Sequence, residues 1–144
     1  MKVHFEKVDT TDEEHAIIYA MAETEDIRYA INLLEGNGGN IPVTKDGNTY
    51  LCSPQNIYYI ESVDKKTFLY TKGDCYECKL RLYELEEMLS YYFIRCSKAM
   101  IVNLRKVKSV KSEMGGRMNA SLLNGESIII SRSYVKDVKG RLGL

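Results

Sequence analysis

The stretch ESIIISRSYVKDVK, residues 126–139, joins an apolar strand directly to the start of a helix. Three consecutive isoleucines from Ile128 are typical of a β-strand, and the serine that follows them is a preferred N-cap residue of a helix. Arg132 then places a cation in the first turn, where the helix dipole disfavours positive charge by a few tenths to about 1 kcal/mol. An exposed arginine after a capping serine explains one of the two serines, whereas an anion opposite Arg132 explains the whole pattern.

The size and composition of the chain are those of a globular protein. Its 144 residues are enough for one domain with a core, or for a small domain plus an appendage. Apolar residues make up 44% and charged residues 28%, and no apolar run approaches the length of about 18 residues expected for a membrane span. The first residues, MKVHFEKVDTTDEEH, lack the apolar core of a signal peptide. We therefore expect a cytoplasmic protein with reduced cysteines that does not insert into a membrane.

A net charge of zero conceals a gradient along the chain. Residues 1–40 contain three Lys or Arg and nine Asp or Glu, residues 41–90 contain six and eight, and residues 91–144 contain eleven and three. The net charges of these segments are therefore −6, −2 and +8. Such an asymmetry indicates a nucleic-acid-binding face in the basic third. Attraction between the acidic and basic ends is the alternative that charge alone leaves open.

The first 40 residues are predicted to form a strand and a helix that precede the main domain. Residues 1–8 alternate apolar and polar side chains. Residues 11–35 combine a threonine N-cap, an acidic first turn and apolar residues three to four apart, which indicates an amphipathic helix. GNGGN at 36–40 provides a left-handed helix end and a flexible joint, and its spacing does not fit a phosphate-binding loop. A boundary is therefore predicted between this appendage and a domain at 41–144.

From residue 41 the pattern changes to short strands. Asp46-Gly47 suits a tight turn between two apolar runs, and Gly115-Gly116 lies between two others, so two β-hairpins are predicted. LYELEEMLSYY at 82–92 has helical spacing, and the chain is predicted to end in a short helix. About nine strands and three helices in one small chain indicate a mostly-β (α+β) fold.

No pattern of catalytic or metal-binding residues stands out in the sequence. Cys75 and Cys78, in CYEC, fall on opposite faces of the predicted strand because their positions differ by an odd number. Besides them only His4 and His15, and no second closely spaced cysteine pair, are available to complete a zinc site. Gly-x-Ser-x-Gly, His-Glu-x-x-His and phosphate-loop motifs are missing. We therefore predict that the protein is not an enzyme and binds no cofactor or metal.

Two basic segments are the candidate binding sites. FIRCSKAMIVNLRKVKSVK at 93–111 places Ser97-Lys98-Ala99 in a loop between two apolar strands, with the lysine directed outward. Several cations follow on one short segment, and those predicted to contact phosphates are Arg105, Lys106 and Lys108. A solvated sheet edge, on which lysines discourage aggregation, is the alternative.

The second basic segment is Ser131-Arg132-Ser133. Its hydroxyl groups and the backbone N–H groups of the helix start are suited to a phosphate. Arginine pairs with guanine O6 and N7 through two parallel hydrogen bonds, worth about 1–3 kcal/mol against the wrong base. We therefore predict that Arg132 contacts a base, and Arg117 and Lys136 complete the predicted set of phosphate-contacting or supporting cations.

The order of these segments resembles the LytTR family of bacterial DNA-binding domains. The resemblance rests on IYYIESVDKKTFLYT, LYELEEML, FIRCSKAMIVNL and GRMNASLLNGESIIISRSYVKDVK, and it covers roughly residues 41–142. It implies a domain of small antiparallel sheets with short helices, which binds double-stranded DNA through loops rather than through a recognition helix.

The resemblance also implies that three loops contact successive grooves of the duplex. The first is the loop at 63–67, where Thr67 occupies a position at which some members carry histidine. The second is the loop at 97–99, where Lys98 stands in for an arginine or asparagine. The third is the Ser-Arg-Ser turn, where Arg132 matches the family pattern. Supporting contacts are expected from Lys65, Lys66, Ser97, Ser131 and Ser133.

About 40 residues precede the region of resemblance, fewer than the roughly 100–150 residues of a typical domain. The sequence therefore predicts a response-regulator-like protein of the stand-alone type, without a receiver domain and without direct control by aspartate phosphorylation. The amphipathic helix either packs on its own domain or pairs with a second copy. A homodimer, which we favour, matches paired DNA sites about one helical turn apart, and a regulatory protein partner is left open.

The leading hypothesis is a sequence-specific transcriptional regulator that binds double-stranded DNA. The alternative is a protein-interaction module whose basic third docks an acidic partner. A third hypothesis is an RNA-binding domain that stacks bases on Tyr58, Tyr59, Phe68 and Tyr70. It is disfavoured because these aromatic residues alternate as core residues do.

Overall fold

The computed structural model of the protein describes residues 1–34, 39–89 and 92–144. The chain divides into two compact units, residues 1–37 and residues 38–144. The predicted glycine-rich joint at 36–40 falls partly outside the described residues, as do positions 90 and 91 of the predicted helix at 82–92. That helix ends at Met88, and Leu89 is its C-cap in an extended conformation.

The first unit contains less regular structure than predicted. Its α-helix, α1, spans Glu25–Leu34, and residues 1–8 are not in a strand. The expectation of a helix from residue 11 was wrong because the cap lies later. Thr24 Oγ1 accepts from Ile27 N–H at 3.3 Å, and the Thr24 carbonyl accepts from Arg28 N–H at 2.9 Å, so the helix begins after Thr24. The predicted strand has no ladder partner within the described part of this unit, and an isolated strand is unstable.

The second unit is built from ten strands and two helices within the described residues. The strands are β1 (Ile41–Lys45), β2 (Asn48–Cys52), β3 (Tyr59–Val63), β4 (Lys66–Tyr70), β5 (Cys75–Cys78), β6 (Phe93–Ser97), β7 (Met100–Asn103), β8 (Val107–Ser112), β9 (Met118–Leu122) and β10 (Ser127–Ile130). The helices are α2 (Leu82–Met88) and α3 (Arg132–Leu142).

All strand pairs are antiparallel and form two sheets. The order is β2-β1-β5-β4-β3-β7-β6 in the seven-stranded sheet and β10-β9-β8 in the three-stranded sheet. Both predicted hairpins are confirmed, because β1 pairs with β2 around Asp46-Gly47 and β8 pairs with β9 around Gly115-Gly116. Asp46 and Gly47 have φ of 51° and 78°, the left-handed values that a two-residue hairpin turn requires.

Two apolar clusters hold the second unit together. One lies between the seven-stranded sheet and α2, and its fully buried members include Ile57, Ile60, Leu69, Leu85 and Ile101. The other joins the opposite face of that sheet to the three-stranded sheet and α3, and its fully buried members include Cys96, Val102, Ala120, Leu122, Ile130 and Val138. Burying an aliphatic side chain of this kind contributes about 1.5–3 kcal/mol.

The isoleucine run at the end of β10 alternates between core and solvent. Ile128 and Ile130 are buried at 6% and 1% exposure, whereas Ile129 is 43% exposed. Val138, fully buried, anchors α3 beyond the junction. The Ser-Arg-Ser turn is therefore held between a strand and a helix that both enter the same core.

Candidate nucleic-acid interface

Three chain reversals lie in a row at one edge of the second unit. They are the β3–β4 turn (64–65), the β6–β7 turn (98–99) and the β10–α3 junction (131–132). Ser62 N–H donates to the Ala99 carbonyl at 2.8 Å, which connects the first reversal to the second. Ser131 N–H donates to the Cys96 carbonyl at 2.9 Å, which connects the second to the third. We name this row the three-loop edge.

Lys98 is exposed in a turn whose backbone is fixed on both sides. A β-bulge between Arg95 and Ser97 shifts the register of β6 against β7. Ala99 N–H donates to Ser97 Oγ at 3.2 Å, which closes the turn from within. The Lys98 side chain therefore extends into solvent from a defined position.

The guanidinium of Arg95 supports the same turn, a role that the sequence analysis missed. Arg95 Nη1 donates to the Lys98 carbonyl at 2.7 Å, and Nη2 lies 3.0 Å from Glu86 Oε2 on α2. An arginine inside the otherwise apolar strand FIRCS is the sequence signal for such a role, because a partly buried cation requires partners.

Arg132 is the first residue of α3 and is exposed. Ser131 occupies the N-cap position in an extended conformation, as the sequence predicts, and its carbonyl accepts from Tyr134 N–H at 2.9 Å. Within the described residues, the Ser131 hydroxyl makes no capping hydrogen bond. It is therefore free to bind a ligand together with the first N–H groups of the helix.

The β8–β9 turn packs against the Arg132 side chain. A Cβ at position 116 would lie 3.1 Å from Arg132 Cγ and 3.2 Å from Cδ, and Gly116 has a φ of +79°. Glycine at this position thus lets the arginine stem lie along the backbone of the turn, with Arg117 next in the chain. In the sequence, Gly115-Gly116 indicates only a hairpin, and no local pattern predicts its contact with Arg132.

The β3–β4 hairpin adds two cations to the three-loop edge. Asp64 and Lys65 form its two-residue turn with φ of 49° and 67°, and Lys65 and Lys66 are exposed. Thr67 lies one residue further along β4 with only 5% of its surface exposed. The expectation of a base contact from Thr67 therefore needs correction, because its side chain points into the core on the face that includes Leu69.

Most of the predicted site residues are brought together at this edge. Arg117 follows the glycine that contacts Arg132, and Lys136 lies one helical turn after Arg132 on α3. Within the described part of the chain, Lys65, Lys98 and Arg132 form no salt bridge. Their charges are therefore available to an external anion. The members of the edge and its immediate surroundings are Lys65, Lys66, Ser97, Lys98, Arg117, Ser131, Arg132, Ser133 and Lys136.

The cations that follow β7 lie at the other end of the sheet, which we call the distal end. β7 runs away from the Lys98 turn for four residues, about 13 Å at about 3.3 Å per residue, before the 3-10 turn Leu104–Lys106. Arg105 and Lys106 are therefore separated from the Lys98 turn by the length of a strand. Phosphate contacts from Arg105, Lys106 and Lys108 stay a prediction.

Aromatic rings hold the distal cations in place. The Arg105 guanidinium carbon lies 4.0 Å from the centre of the Tyr92 ring, and Lys106 Nζ lies 5.1 Å from that of Tyr58. The 3-10 turn begins at the buried Asn103, whose Oδ1 accepts from Arg105 N–H at 3.0 Å. A hollow of about 460 Å³ also opens at this end, lined by residues that include Tyr50, Tyr58, Tyr76, Lys72 and Lys106.

The cysteines agree with the interpretation of CYEC as part of a strand. Cys75 is exposed and Cys78 buried, on opposite faces of β5. Burial raises the pKa of the Cys78 thiol, and burial raises that of Cys96 to about 12, which disfavours reactive thiolates. No group of three or more potential metal ligands occurs among the described residues. None of the helices in the described ranges is long and apolar enough to cross a membrane.

Two antiparallel sheets with a row of exposed cationic loops at one edge fit the class of proteins that bind an anionic partner such as nucleic acid. Residues 47–143 match the family model of the LytTr DNA-binding domain, and the chain belongs to this family. The fold agrees with that of a solved structure, the LytTr DNA-binding domain of a Bacillus cereus protein described as a methyl-accepting/DNA response regulator. The TM-score is 0.70 at 26% identity, and the match covers 74% of this chain and 98% of that one.

Two curated relatives are bacterial proteins. The sensory transduction protein LytT of Enterococcus faecalis (strain ATCC 700802 / V583) is 28% identical over 105 residues, which cover 72% of this chain and 43% of that protein. An uncharacterized HTH-type transcriptional regulator of Staphylococcus aureus (strain NCTC 8325 / PS 47) is 30% identical over 99 residues, which cover 69% of this chain and 67% of that protein. The chain thus spans less than half of the first relative. The family match favours DNA over an acidic protein as the partner of the basic third.

Proposed function

We propose that the protein is a transcriptional regulator that binds specific sequences of double-stranded DNA through the three-loop edge. The observation that carries the proposal is the pair of backbone hydrogen bonds, Ser62 to Ala99 and Ser131 to Cys96, that aligns the three reversals. Because the reversals are linked through backbone atoms, their cations keep fixed spacings, as recognition of a regular duplex requires. The membership of the chain in the LytTR family supports the same function.

Lys98 and Arg132 are the proposed base contacts. Arg132 offers a bidentate donor to guanine, and Lys98 offers a compact ammonium with three rotatable donors to an acceptor such as guanine O6 or N7. On the first loop, where Thr67 was expected to contact a base, the contacts with DNA come instead from Lys65 and Lys66, which bind phosphates. The Ser131 and Ser133 hydroxyls, with the N-terminal N–H groups of α3, bind a further phosphate. Ser97 shapes its turn rather than contacting DNA.

Selection of bound duplexes from a random pool, at a stated salt concentration, tests this function. We expect enrichment of a defined motif with at least one guanine whose replacement weakens binding by about 1–3 kcal/mol. Binding should also fall steeply as salt rises, since cations that bind phosphates release counterions. A pool that stays random after repeated rounds, or an affinity that is independent of salt, contradicts the proposal.

For the predicted appendage at residues 1–40 we propose a role in homodimerisation, with the protein acting in the bacterial cytoplasm. Several large apolar side chains of this unit are exposed, among them Phe5, Tyr19, Met21, Leu33 and Leu34. Several large exposed apolar side chains in one short segment are typical of an interaction surface. Sedimentation of the full chain is expected to give a dimer, and replacement of Leu33 and Leu34 by serine is expected to give a monomer. A wild-type monomer at micromolar concentration contradicts the dimer and leaves the DNA-binding proposal untouched.

A further inference from the structure

We propose that Arg95 and Glu86 act as a positioning pair, through which helix α2 sets the position of Lys98 and thereby one step of base selection. The inference rests on the proposed function, since it assumes that Lys98 contacts a base. It goes beyond the proposed base contacts, because neither Arg95 nor Glu86 is expected to contact DNA.

Arg95 is well placed to fix the turn rather than to bind a ligand. Its side chain is 22% exposed, and its two terminal nitrogens are both engaged, one by the Lys98 carbonyl at 2.7 Å and the other by Glu86 at 3.0 Å. Arg95 Nε is buried and has no hydrogen-bond partner among the described residues. Leaving a donor unsatisfied is unfavourable. The guanidinium keeps this orientation because the Glu86 carboxylate and the Lys98 carbonyl hold its two terminal nitrogens.

The hydrogen bond from Arg95 reaches the residue whose side chain faces DNA in the proposal. Lys98 is followed by Ala99, which is held by Ser97 Oγ through its N–H and by Ser62 through its carbonyl. The Lys98 carbonyl accepts from Arg95 Nη1 at 2.7 Å. Without that contact the peptide between Lys98 and Ala99 keeps the hydrogen bond from its N–H to Ser97 Oγ at 3.2 Å but loses the one at its carbonyl. It then rotates more easily, which shifts the start of the Lys98 side chain.

The charge of Arg95 is neutralised locally by Glu86. A cation paired at 3.0 Å adds little long-range attraction for phosphates, especially at physiological salt. Loss of Arg95 is therefore expected to change which bases are preferred more than how strongly DNA is attracted. This distinguishes Arg95 from Lys65 and Lys66, whose charges are exposed and unpaired within the described residues.

A double-mutant cycle on the full chain tests the proposal. Arg95→Met is expected to weaken binding to the selected duplex about 5- to 10-fold, within the range of one ordinary hydrogen bond, with little change for a scrambled duplex. In the Lys98→Ala background the same substitution is expected to change the affinity less than twofold, because the group being positioned is gone. Glu86→Gln should give an intermediate loss, since the amide oxygen still accepts from Arg95 but without charge.

The matched control is Asp74→Asn, which weakens a second ion pair, Lys45 with Asp74 at 2.6 Å, at the distal end. It is expected to leave the affinity for both duplexes unchanged, and urea unfolding of every variant measures any general loss of stability. Equal losses from Arg95→Met with and without Lys98, or equal losses on both duplexes, overturn the positioning role. Tighter binding by Glu86→Gln would identify Arg95 as a direct phosphate contact instead. If wild type itself fails to distinguish the two duplexes, the proposed function fails, a result separable from failure of the pair.

Discussion

The three-loop edge and the distal end are both basic, but the environments of their cationic side chains differ. At the three-loop edge Lys98 and Arg132 are exposed and form no ion pair within the described residues. At the distal end Arg105 and Lys106 lie over the rings of Tyr92 and Tyr58, at 4.0 and 5.1 Å. A cation that packs on an aromatic ring contributes about 0.5–1 kcal/mol to the folded state at an exposed site. Positive charge at one end is thus available for binding, whereas at the other end it contributes to packing.

The largest expected difference between the two ends comes from Arg132→Ala. Loss of a bidentate contact to guanine is expected to cost about 1–3 kcal/mol, a factor of about 5 to 150 in affinity for the selected duplex. Competition binding against a duplex with that guanine replaced is the measurement. The variant should no longer distinguish the two duplexes, and a retained preference would remove Arg132 from the base contacts.

A smaller loss is expected from Gly116→Ala, for which Gly115→Ala is a matched control. Both glycines have positive φ, +79° and +81°, so alanine strains the turn similarly at either position and lowers the free energy of unfolding by about 1 kcal/mol or more. Only at position 116 would the new Cβ meet Arg132, at 3.1 Å. Gly116→Ala is therefore expected to lower specific affinity about 3- to 10-fold, within the energy of one displaced contact, whereas Gly115→Ala leaves it unchanged.

Urea unfolding and gel-shift titration of both glycine variants separate strain from recognition. Equal unfolding free energies with unequal DNA affinities support the contact between the β8–β9 turn and the arginine. Unchanged DNA affinity in both variants would mean that the turn does not hold Arg132 in the complex.

The smallest effects are expected from Lys66→Ala and Lys106→Ala, one substitution at each end. Lys66, at the three-loop edge, is expected to contact one phosphate, so its loss should reduce the slope of log affinity against log salt by about 0.9. Lys106→Ala, at the distal end, should leave that slope unchanged. It should lower only the free energy of unfolding, by about 0.5–1 kcal/mol, because the contact with Tyr58 is lost. Affinity measured between 50 and 200 mM salt, roughly the range over which phosphate contacts have large effects, decides the comparison. A reduced slope for Lys106→Ala would extend the DNA surface to the distal end.

Local patterns in the sequence predicted the mostly-β fold and much of the three-loop edge. Asp46-Gly47 and Gly115-Gly116 identified hairpins because turn chemistry depends on a few neighbouring residues. The strand-to-helix junction at Ser131 was predicted for the same reason. The family resemblance supplied the grouping of the three loops, which spacing along the chain does not contain.

The structure differs from the sequence-based expectations where the hydrogen bonds, the strand register or contacts between distant parts of the chain decide the outcome. The family resemblance places Thr67 in a loop, but the two-residue turn ends at Lys65, so β4 begins earlier and its alternation directs Thr67 inward. Arg105 and Lys106 follow Lys98 closely in sequence, but one strand crossing separates them in space. The N-terminal helix was extended too far because apolar spacing continues through residues 11–24, whereas the hydrogen bonds of Thr24 fix the start. Arg95 was missed because its partners lie on a helix and a turn that no local pattern connects to it.

The hydrogen bond from Ser131 to Cys96 crosses from one sheet to the other, so the two proposed base-reading residues belong to different halves of a sandwich. The interval between Lys98 and Arg132 along the duplex is then governed by how tightly those halves stack, on buried side chains such as Val102 and Ile130. We expect that trimming such an interior methyl group shifts one half relative to the other. In the proposed complex, the spacing of the two base contacts is then adjustable from the inside of the molecule, by residues that never meet a nucleotide.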